Sequence, residues 1–518
     1  MNLLYGLRRS ARLFGDQPAI LNTGATYAEF YQRVQGAGQL LARLGVRRGD
    51  RVAVLMLNSS RFLELYYATA LTGAVIVPLN IRWSAQEIAF VLNDSGARLL
   101  VVDDRFAPLR EQLAGAADGV AVYLFAGHQP CPAGMAGYEE GVHAASGAAD
   151  WPEPGEEDLV GLFYTSGTTG GPKGVMLTHR NLVANAFHAS LSLEISPDSV
   201  WLHSAPMFHL ANGGAMYAMV MRGARHCFLP AFEPEEFLRA VERYRVTAAL
   251  LVPTMLNMVM NHPAIDRYDV SSLKSITYGA SPMPLDLLRR AMDRFGRCFR
   301  QGYGLTETSP LLTTLEPEDH CFDNAQERFA PIKSAGRPVP GVEIRVVNDH
   351  DHDLPPGQVG EIVARGANIM KGYWNRPEIT AEVVRGGWFH TGDMGMLDER
   401  GYLYILDRKK DMIKTGGENV YSPEVEDVIY AHPDVLEAAV IGVPDPQWGE
   451  AIKAVVARRP GRHLTERQLI EYCRERLTHF KCPTSVDFAE TLPKGGTGKI
   501  QKAALREGYW KGLAKGVN

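Results

Sequence analysis

The chain has 518 residues, 46% of them apolar and 22% charged, with a formal net charge of -5. That length exceeds what one hydrophobic core ordinarily supports, so two or more domains are expected, and the apolar share fits a folded chain rather than a disordered one. Acidic and basic residues are interspersed with no basic stripe, which excludes nucleic acid as the implied partner. The six cysteines are scattered without a Cys-x-x-Cys pair, as suits a reducing compartment, and a cytoplasmic location is expected. No apolar run reaches the ~18 residues that span a bilayer, and residues 1–15 lack the apolar core of a signal peptide. The closing Lys515-Gly516-Val517-Asn518 is not a peroxisomal address.

In chain order, Thr26-Tyr27-Ala28-Glu29 reads as a capping box, and Phe30, Val34, Gly38 and Leu41 then recur at helical spacing until Gly45. A strand is predicted over 52–57, and residues 65–79 read as a buried helix running into a strand. Leu99-Leu100-Val101-Val102 and Leu250-Leu251-Val252 are apolar, β-branched runs between helical patterns, the signature of an α/β fold with buried sheets. Residues 114–155 read as loop. After Leu406 the dense charge of Asp407-Arg408-Lys409-Lys410-Asp411 opens a shorter set of elements. Ser422-Pro423 starts a helix, Ala438-Ala439-Val440-Ile441 forms a strand, and Thr465-Glu466-Arg467-Gln468 caps another helix. The expected organisation is a large N-terminal α/β domain of stacked sheets flanked by helices, residues 1–406, and a small mobile C-terminal α+β domain, residues 407–518.

The most informative stretch is Tyr164-Thr165-Ser166-Gly167-Thr168-Thr169-Gly170-Gly171-Pro172-Lys173-Gly174. Its glycines let backbone close around oxygen atoms, its hydroxyls can donate to phosphate, and Lys173 adds a compact positive charge. A plain Gly/Ser/Thr surface turn has the same composition. The common P-loop needs Gly-Lys followed by Ser or Thr, whereas here Pro172 precedes the lysine and Gly174 follows it.

Further motifs decide between these. Gln301-Gly302-Tyr303-Gly304-Leu305-Thr306-Glu307, Thr391-Gly392-Asp393, the 407–411 charge cluster, Gly416-Gly417-Glu418-Asn419 and Pro493-Lys494-Gly495-Gly496-Thr497-Gly498-Lys499 follow in order. Together with the loop at 164–174 they resemble the AMP-forming adenylate enzymes, the superfamily of acyl-CoA synthetases, luciferases and peptide-synthetase adenylation domains. The resemblance spans essentially the whole chain and implies ATP, Mg²⁺ and coenzyme A as cofactors. It implies a phosphate site at Thr165, Ser166, Gly167, Thr168, Thr169 and Lys173, with Gln301, Gly302, Tyr303, Gly304, Gly279 and Ala280 around the base. Tyr303 offers a ring on which adenine can stack. Thr306 is implied on the α-phosphate, Glu307 on Mg²⁺, where a hard cation wants oxygen, and Asp393 with Arg408 on the ribose. The same resemblance makes Lys499 the catalytic cation, Lys414 an accessory one and Lys410 the hinge of a rotating small domain. Rotation would bring the loop at Gly416 and Gly417 towards the active site, its glycines leaving room for the pantetheine arm.

For the acid, Met207-Phe208-His209-Leu210 stands where the family places a gate, and Ala211, Asn212, Gly213, Gly214 and Tyr278 are expected to line the tunnel. Adenylation domains for amino acids place an Asp after the corresponding Phe. His209 stands there instead, so an α-amino acid is not expected. The leading expectation is an ATP-dependent, AMP-forming acid:CoA ligase for a fatty or aryl acid, with a homodimer allowed. The alternatives are a stand-alone ligase that loads a carrier protein, a luciferase-like oxidase and a non-catalytic nucleotide-binding relative.

Overall fold

The computed structural model describes residues 1–117, 119–145, 151–165, 171–323, 325, 327, 329–494 and 500–511. The chain divides into two compact units, Met1–Ile344 with Ala364–Phe389, and Arg345–Val363 with His390–Asn518. The expected break at 406/407 falls inside strand Leu403–Arg408, in the second unit.

The larger unit is built on an eight-stranded and a nine-stranded sheet among the described residues. In the first, Arg51–Leu55 lies between Val75–Pro78 and Leu99–Val102, all parallel. These strands are apolar at successive positions because both faces are covered: Val52 and Val54 enter one core, Ala53 and Leu55 another. The second core is closed by helix Ala85–Ser95, whose Ile88, Val91 and Leu92 recur on one face. In the nine-stranded sheet, Arg225–Phe228, Val200–His203, Ala248–Leu250, Ser275–Gly279 and Phe299–Gly304 are parallel neighbours, and Leu311–Leu315 adds antiparallel to the last. The first predicted helix starts where expected, Thr26 and Glu29 forming the capping box of helix Tyr27–Arg43. The helix read within 65–79 instead begins earlier, at Ser60, capped by Ser59, and runs to Thr72 ahead of strand Val75–Pro78. The stretch read as loop, 114–155, instead contains strand Val122–Phe125, paired parallel to Leu99–Val102, and helix Tyr138–His143. The strand is too short for its alternation to stand out in sequence, and pairing with a buried neighbour supplies what propensity alone does not.

In the smaller unit, the Asp393–Leu397 end of strand Trp388–Leu397 pairs antiparallel with Leu403–Arg408. A second sheet follows the order Glu418–Val420, Ile413–Thr415, Gly449–Arg458, Val435–Asp445, with Ser485–Ala489 also on Gly449–Arg458. Helix Ser422–Tyr430 begins at the predicted Ser422-Pro423 start, with Tyr421 as the cap residue, and Glu466–Arg474 begins at the predicted cap Thr465. Within Val435–Asp445, Ala438 and Val440 face one core, Ala439 and Ile441 the other.

Candidate active site

In the larger unit, Leu159–Thr165 runs antiparallel to Lys173–Thr178 with Thr165 opposite Lys173. Ser166, Gly167, Thr168 and Thr169 lie outside the described residues. The flanks are braced: the Tyr164 hydroxyl donates to Asp94 Oδ2 at 2.6 Å, and Arg376 pairs with the other Asp94 oxygen at 2.9 Å. A Cβ at Gly174 would stand 3.0 Å from Tyr164 Cζ, so the glycine admits that ring. On the other side, Tyr373 in strand Gly372–Tyr373 sits opposite Val175. Its hydroxyl donates to Glu307 Oε1 at 2.8 Å, and Lys173 Nζ lies 5.3 Å from the centre of its ring.

Glu307 belongs to the short turn Thr306–Thr308 that follows strand Phe299–Gly304, and it is 9% exposed. The fully buried Asn368 holds this turn by donating to the carbonyls of Thr308 and Leu311, each at 2.8 Å, while Ser309 donates to the Asn368 carbonyl at 2.8 Å. The Met370 N–H donates to the Glu307 carbonyl at 2.8 Å. Among the described residues Glu307 Oε2 accepts no hydrogen bond, and Lys173 has no ion-pair partner.

The residues expected around the base occupy the carboxyl ends of two parallel strands, with Tyr278 opposite Gln301 and Gly279 opposite Gly302. Ligands of α/β sheets gather at such ends. A Cβ at Gly279 would collide with the Gly302 carbonyl, and one at Gly304 with the Pro310 carbonyl. Ala280 is exposed at φ +64, a left-handed conformation that costs a non-glycine residue on the order of 1 kcal/mol. Tyr303 is half-buried against a cluster that includes Leu312 and Val339.

On the acid side, His209 is the cap residue of helix Leu210–Arg222, its ring 4.4 Å from that of Phe208. Asn212 is fully buried and both ends of its amide are hydrogen-bonded. Oδ1 accepts from Trp201 Nε1 at 3.0 Å and from His203 Nδ1 at 3.2 Å, and Nδ2 donates to the Ala205 carbonyl at 2.6 Å. Its part is to fix the backbone around His209. At Gly213 and Gly214 the small residue answers a close approach rather than leaving a space. A Cβ at Gly213 would stand 2.9 Å from the Met207 carbonyl oxygen, and one at Gly214 would stand 2.6 Å from Pro310 Cδ. Ala211 is half-buried against the main core. The Tyr278 hydroxyl is 3.0 Å from His320 Nε2. His320 Nδ1 is 2.8 Å from the Glu316 carbonyl, which makes Nδ1 the protonated nitrogen and Nε2 the acceptor. Burial lowers the His320 pKa to about 4 and raises that of Tyr278.

In the smaller unit, Asp393 lies directly across the ladder from Arg408, and Arg408 Nε meets Asp393 Oδ1 at 2.7 Å. The carboxylate is 6% exposed and the guanidinium 44%, so the acid is presented from a nearly closed site. The Asp393 N–H donates to Thr391 Oγ1 at 3.1 Å, and that hydroxyl donates to the Ile362 carbonyl at 2.7 Å. Burial lowers the Lys410 pKa against the pull of Asp411. The Lys410 carbonyl and the Asp411 carboxylate both accept from Arg506, at 3.2 and 2.6 Å. Lys414, in strand Ile413–Thr415, is exposed opposite Asn419. Gly416 and Gly417, at φ +58 and +87, form the two-residue turn between Thr415 and Glu418, a geometry that glycine adopts without strain. A Cβ at Gly416 would lie 2.8 Å from Trp448 Cε3. Lys499 lies outside the described residues; the flanking Lys494 and Ile500 form an antiparallel bridge.

Sequence reasoning missed Tyr373, Asn368 and His320. Glu307 and Tyr373 stand 66 positions apart, and no local pattern marks their meeting.

A nearly buried carboxylate just beyond a parallel strand, with a lysine on the far side of a shared tyrosine ring, is an arrangement suited to a nucleotide-dependent enzyme. Residues 7–374 match the AMP-binding enzyme family and residues 424–499 the AMP-binding enzyme C-terminal domain, so the chain belongs to the adenylate-forming AMP-binding enzymes. It is 40% identical over 508 residues to a feruloyl-CoA synthase of Amycolatopsis sp, covering 97% of this chain and 98% of the relative. It is 35% identical over 514 residues to the fatty acid–[acyl-carrier-protein] ligase ScoC of Streptomyces coeruleorubidus, covering 97% and 95%. Among solved structures, ATP-bound MatB from Rhodopseudomonas palustris matches with a TM-score of 0.86 and 33% identity over 99% of both chains. The protein is an AMP-forming acid:CoA ligase that uses ATP and CoA and works through an acyl-adenylate.

Proposed function

We propose that the acid is a fatty or aryl carboxylic acid. The observation that carries this is the end-to-end 40% identity to a feruloyl-CoA synthase. A carboxylate oxygen of the acid bonds to the α-phosphorus of ATP while the bond to pyrophosphate breaks. The CoA sulfur then takes the acyl carbon, AMP leaves, and the thiol proton is released. In this reading Thr165, Lys173 and the hydroxyls at 166–169 hold the phosphates, Thr306 the α-phosphate, and Asp393 with Arg408 the ribose. Tyr303 flanks the adenine with Gly279 and Ala280 as its wall. Each well-aimed donor at the α-phosphate contributes on the order of 3 kcal/mol to the barrier reduction. Lys499 is the principal such cation, Lys414 an accessory one, Lys410 the pivot, and Gly416 with Gly417 the entry for pantetheine.

Mg²⁺ fits the residues present. Glu307 is a nearly buried carboxylate with one oxygen held by Tyr373 and the other without a hydrogen bond among the described residues. No group of three His, Cys, Asp or Glu side chains forms a metal cage among them. That suits Mg²⁺, which characteristically rests on one or two carboxylates plus substrate phosphates. When bound, the ion would supply charge neutralisation at the phosphates. The cytoplasm is the proposed location, supported by six free cysteines and by the lack of a described helix long and apolar enough to cross a membrane.

A second reading, transfer to a carrier protein, is favoured by the 35% identity to ScoC. The test is pyrophosphate release from ATP and Mg²⁺ across fatty acids, benzoates and cinnamates, with and without CoA, with thioester detected by mass. Acid-dependent release with acyl-CoA supports the main reading. Release without acyl-CoA moves the assignment to carrier loading. No release with any of these acids overturns the proposed substrate class.

A further inference from the structure

We infer that Tyr373 is a positioning residue that keeps the phosphate-binding lysine and the cation-binding carboxylate apart while holding each in place. This rests on the reading above, in which Lys173 serves the phosphates and Glu307 the metal. An ammonium and a carboxylate in one water-poor recess attract strongly, and a direct pair would neutralise both before a nucleotide arrived. No such pair forms. The Tyr373 hydroxyl donates to Glu307 Oε1 at 2.8 Å, and the face of the same ring receives Lys173 Nζ at 5.3 Å from its centre. One side chain thus gives the carboxylate a neutral hydrogen bond and the ammonium a cation–π contact. Oε2 is left open to a cation and the ammonium to an anion.

The ring is itself held firmly. Tyr373 is buried, its N–H donates to Thr380 Oγ1 at 2.9 Å, and it pairs with Val175 on the strand that begins with Lys173. Gly372, at φ +141, lets the chain pass so close to Thr380 that a Cβ would stand 2.6 Å from Thr380 Cγ2.

The hydroxyl and the ring have separable consequences. Tyr373→Phe keeps the ring but frees the Glu307 carboxylate to rotate. Loss of a partner that orients a metal ligand typically weakens metal binding 10–100-fold. Tyr373→Leu removes the ring as well, so Lys173 can collapse onto Glu307. The experiment is Mn²⁺ titration of the full-length protein with ATP, followed by electron paramagnetic resonance, and calorimetric ATP binding in EDTA. Tyr373→Phe is expected to weaken Mn²⁺–ATP binding about tenfold with metal-free ATP affinity unchanged. Tyr373→Leu is expected to weaken metal-free ATP binding too, and adding Glu307→Gln should restore it by removing the competing charge.

A merely structural role would not produce that rescue. Wild-type Mn²⁺ affinity in Tyr373→Phe, or no restoration by Glu307→Gln, overturns the inference. A wild-type protein whose ATP binding ignores the metal would instead overturn the assignment of Glu307, and the inference with it.

Discussion

The buried imidazole pair under the acid side should make the larger unit sensitive to mild acid. His203 and His226 stack with ring centres 5.3 Å apart, and His203 Nε2 is 3.0 Å from His226 Nδ1. Asn212 Oδ1 can only accept, so His203 is protonated at Nδ1, His226 donates through Nδ1, and the buried His226 Nε2 is left with no hydrogen-bond partner among the described residues. Burial lowers the His226 pKa to about 3 and pushes that of His203 well down. Above pH ~6.5 the ring is neutral in both folded and unfolded chains, and stability is unaffected by it. Below that, the unfolded chain takes up a proton that the folded one refuses, so stability falls until about pH 3. At pH 5 the deficit from His226 alone is about 2 kcal/mol, at 1.36 kcal/mol per unit. Replacing it by Asn keeps a donor towards His203 and removes the titration. Urea unfolding at pH 7 and pH 5, followed by tryptophan fluorescence, reads the difference, since Trp201 is bonded to Asn212 in the same cluster. The loss between the two pH values should shrink by about 2 kcal/mol in His226→Asn. An unchanged loss would refute the reasoning.

Lys499→Ala should slow adenylation roughly a hundredfold or more while sparing thioester formation from supplied acyl-adenylate; equal losses in the two half-reactions, assayed separately, would remove it from the catalytic role. Lys410→Pro, by stiffening the pivot, should do the reverse, and undiminished overall turnover would take Lys410 out of the mechanism. Gly416→Ala places a methyl against Trp448 and a side chain on a left-handed residue, so the CoA step should weaken while pyrophosphate release persists. A wild-type KM for CoA would count against the proposed entry.

What could be read from sequence was what repeats or sits locally. The capping boxes at Thr26 and Thr465 and the continuous apolar strands marked the α/β layers, because caps and buried strands leave patterns within a few residues. The glycine- and hydroxyl-rich run at 164–174 and the Thr306-Glu307 pair stand out in sequence for the same reason, though residues 166–170 lie outside the described residues. What packing decides was not. Gly213 and Gly214 look like open space in sequence, and only the Met207 carbonyl and the Pro310 ring show that they are pressed upon. Tyr278–His320 and Tyr373–Glu307 join residues brought close by distant strands, and a tyrosine carries no mark of the partner its hydroxyl will find.

The division of strand Val435–Asp445 between two cores also limits how this region can vary in descendants of the chain. Ala438 and Val440 belong to one packing environment, Ala439 and Ile441 to the other. Exchanges among aliphatic residues of similar size are absorbed locally. Losing or gaining a single residue instead sends every later side chain to the opposite face, disturbing both cores at once. Length in this strand is therefore held far more tightly than identity. Insertions belong in the turns, and the glycine turn at 416–417 is too closely approached by Trp448 to be a ready place for one.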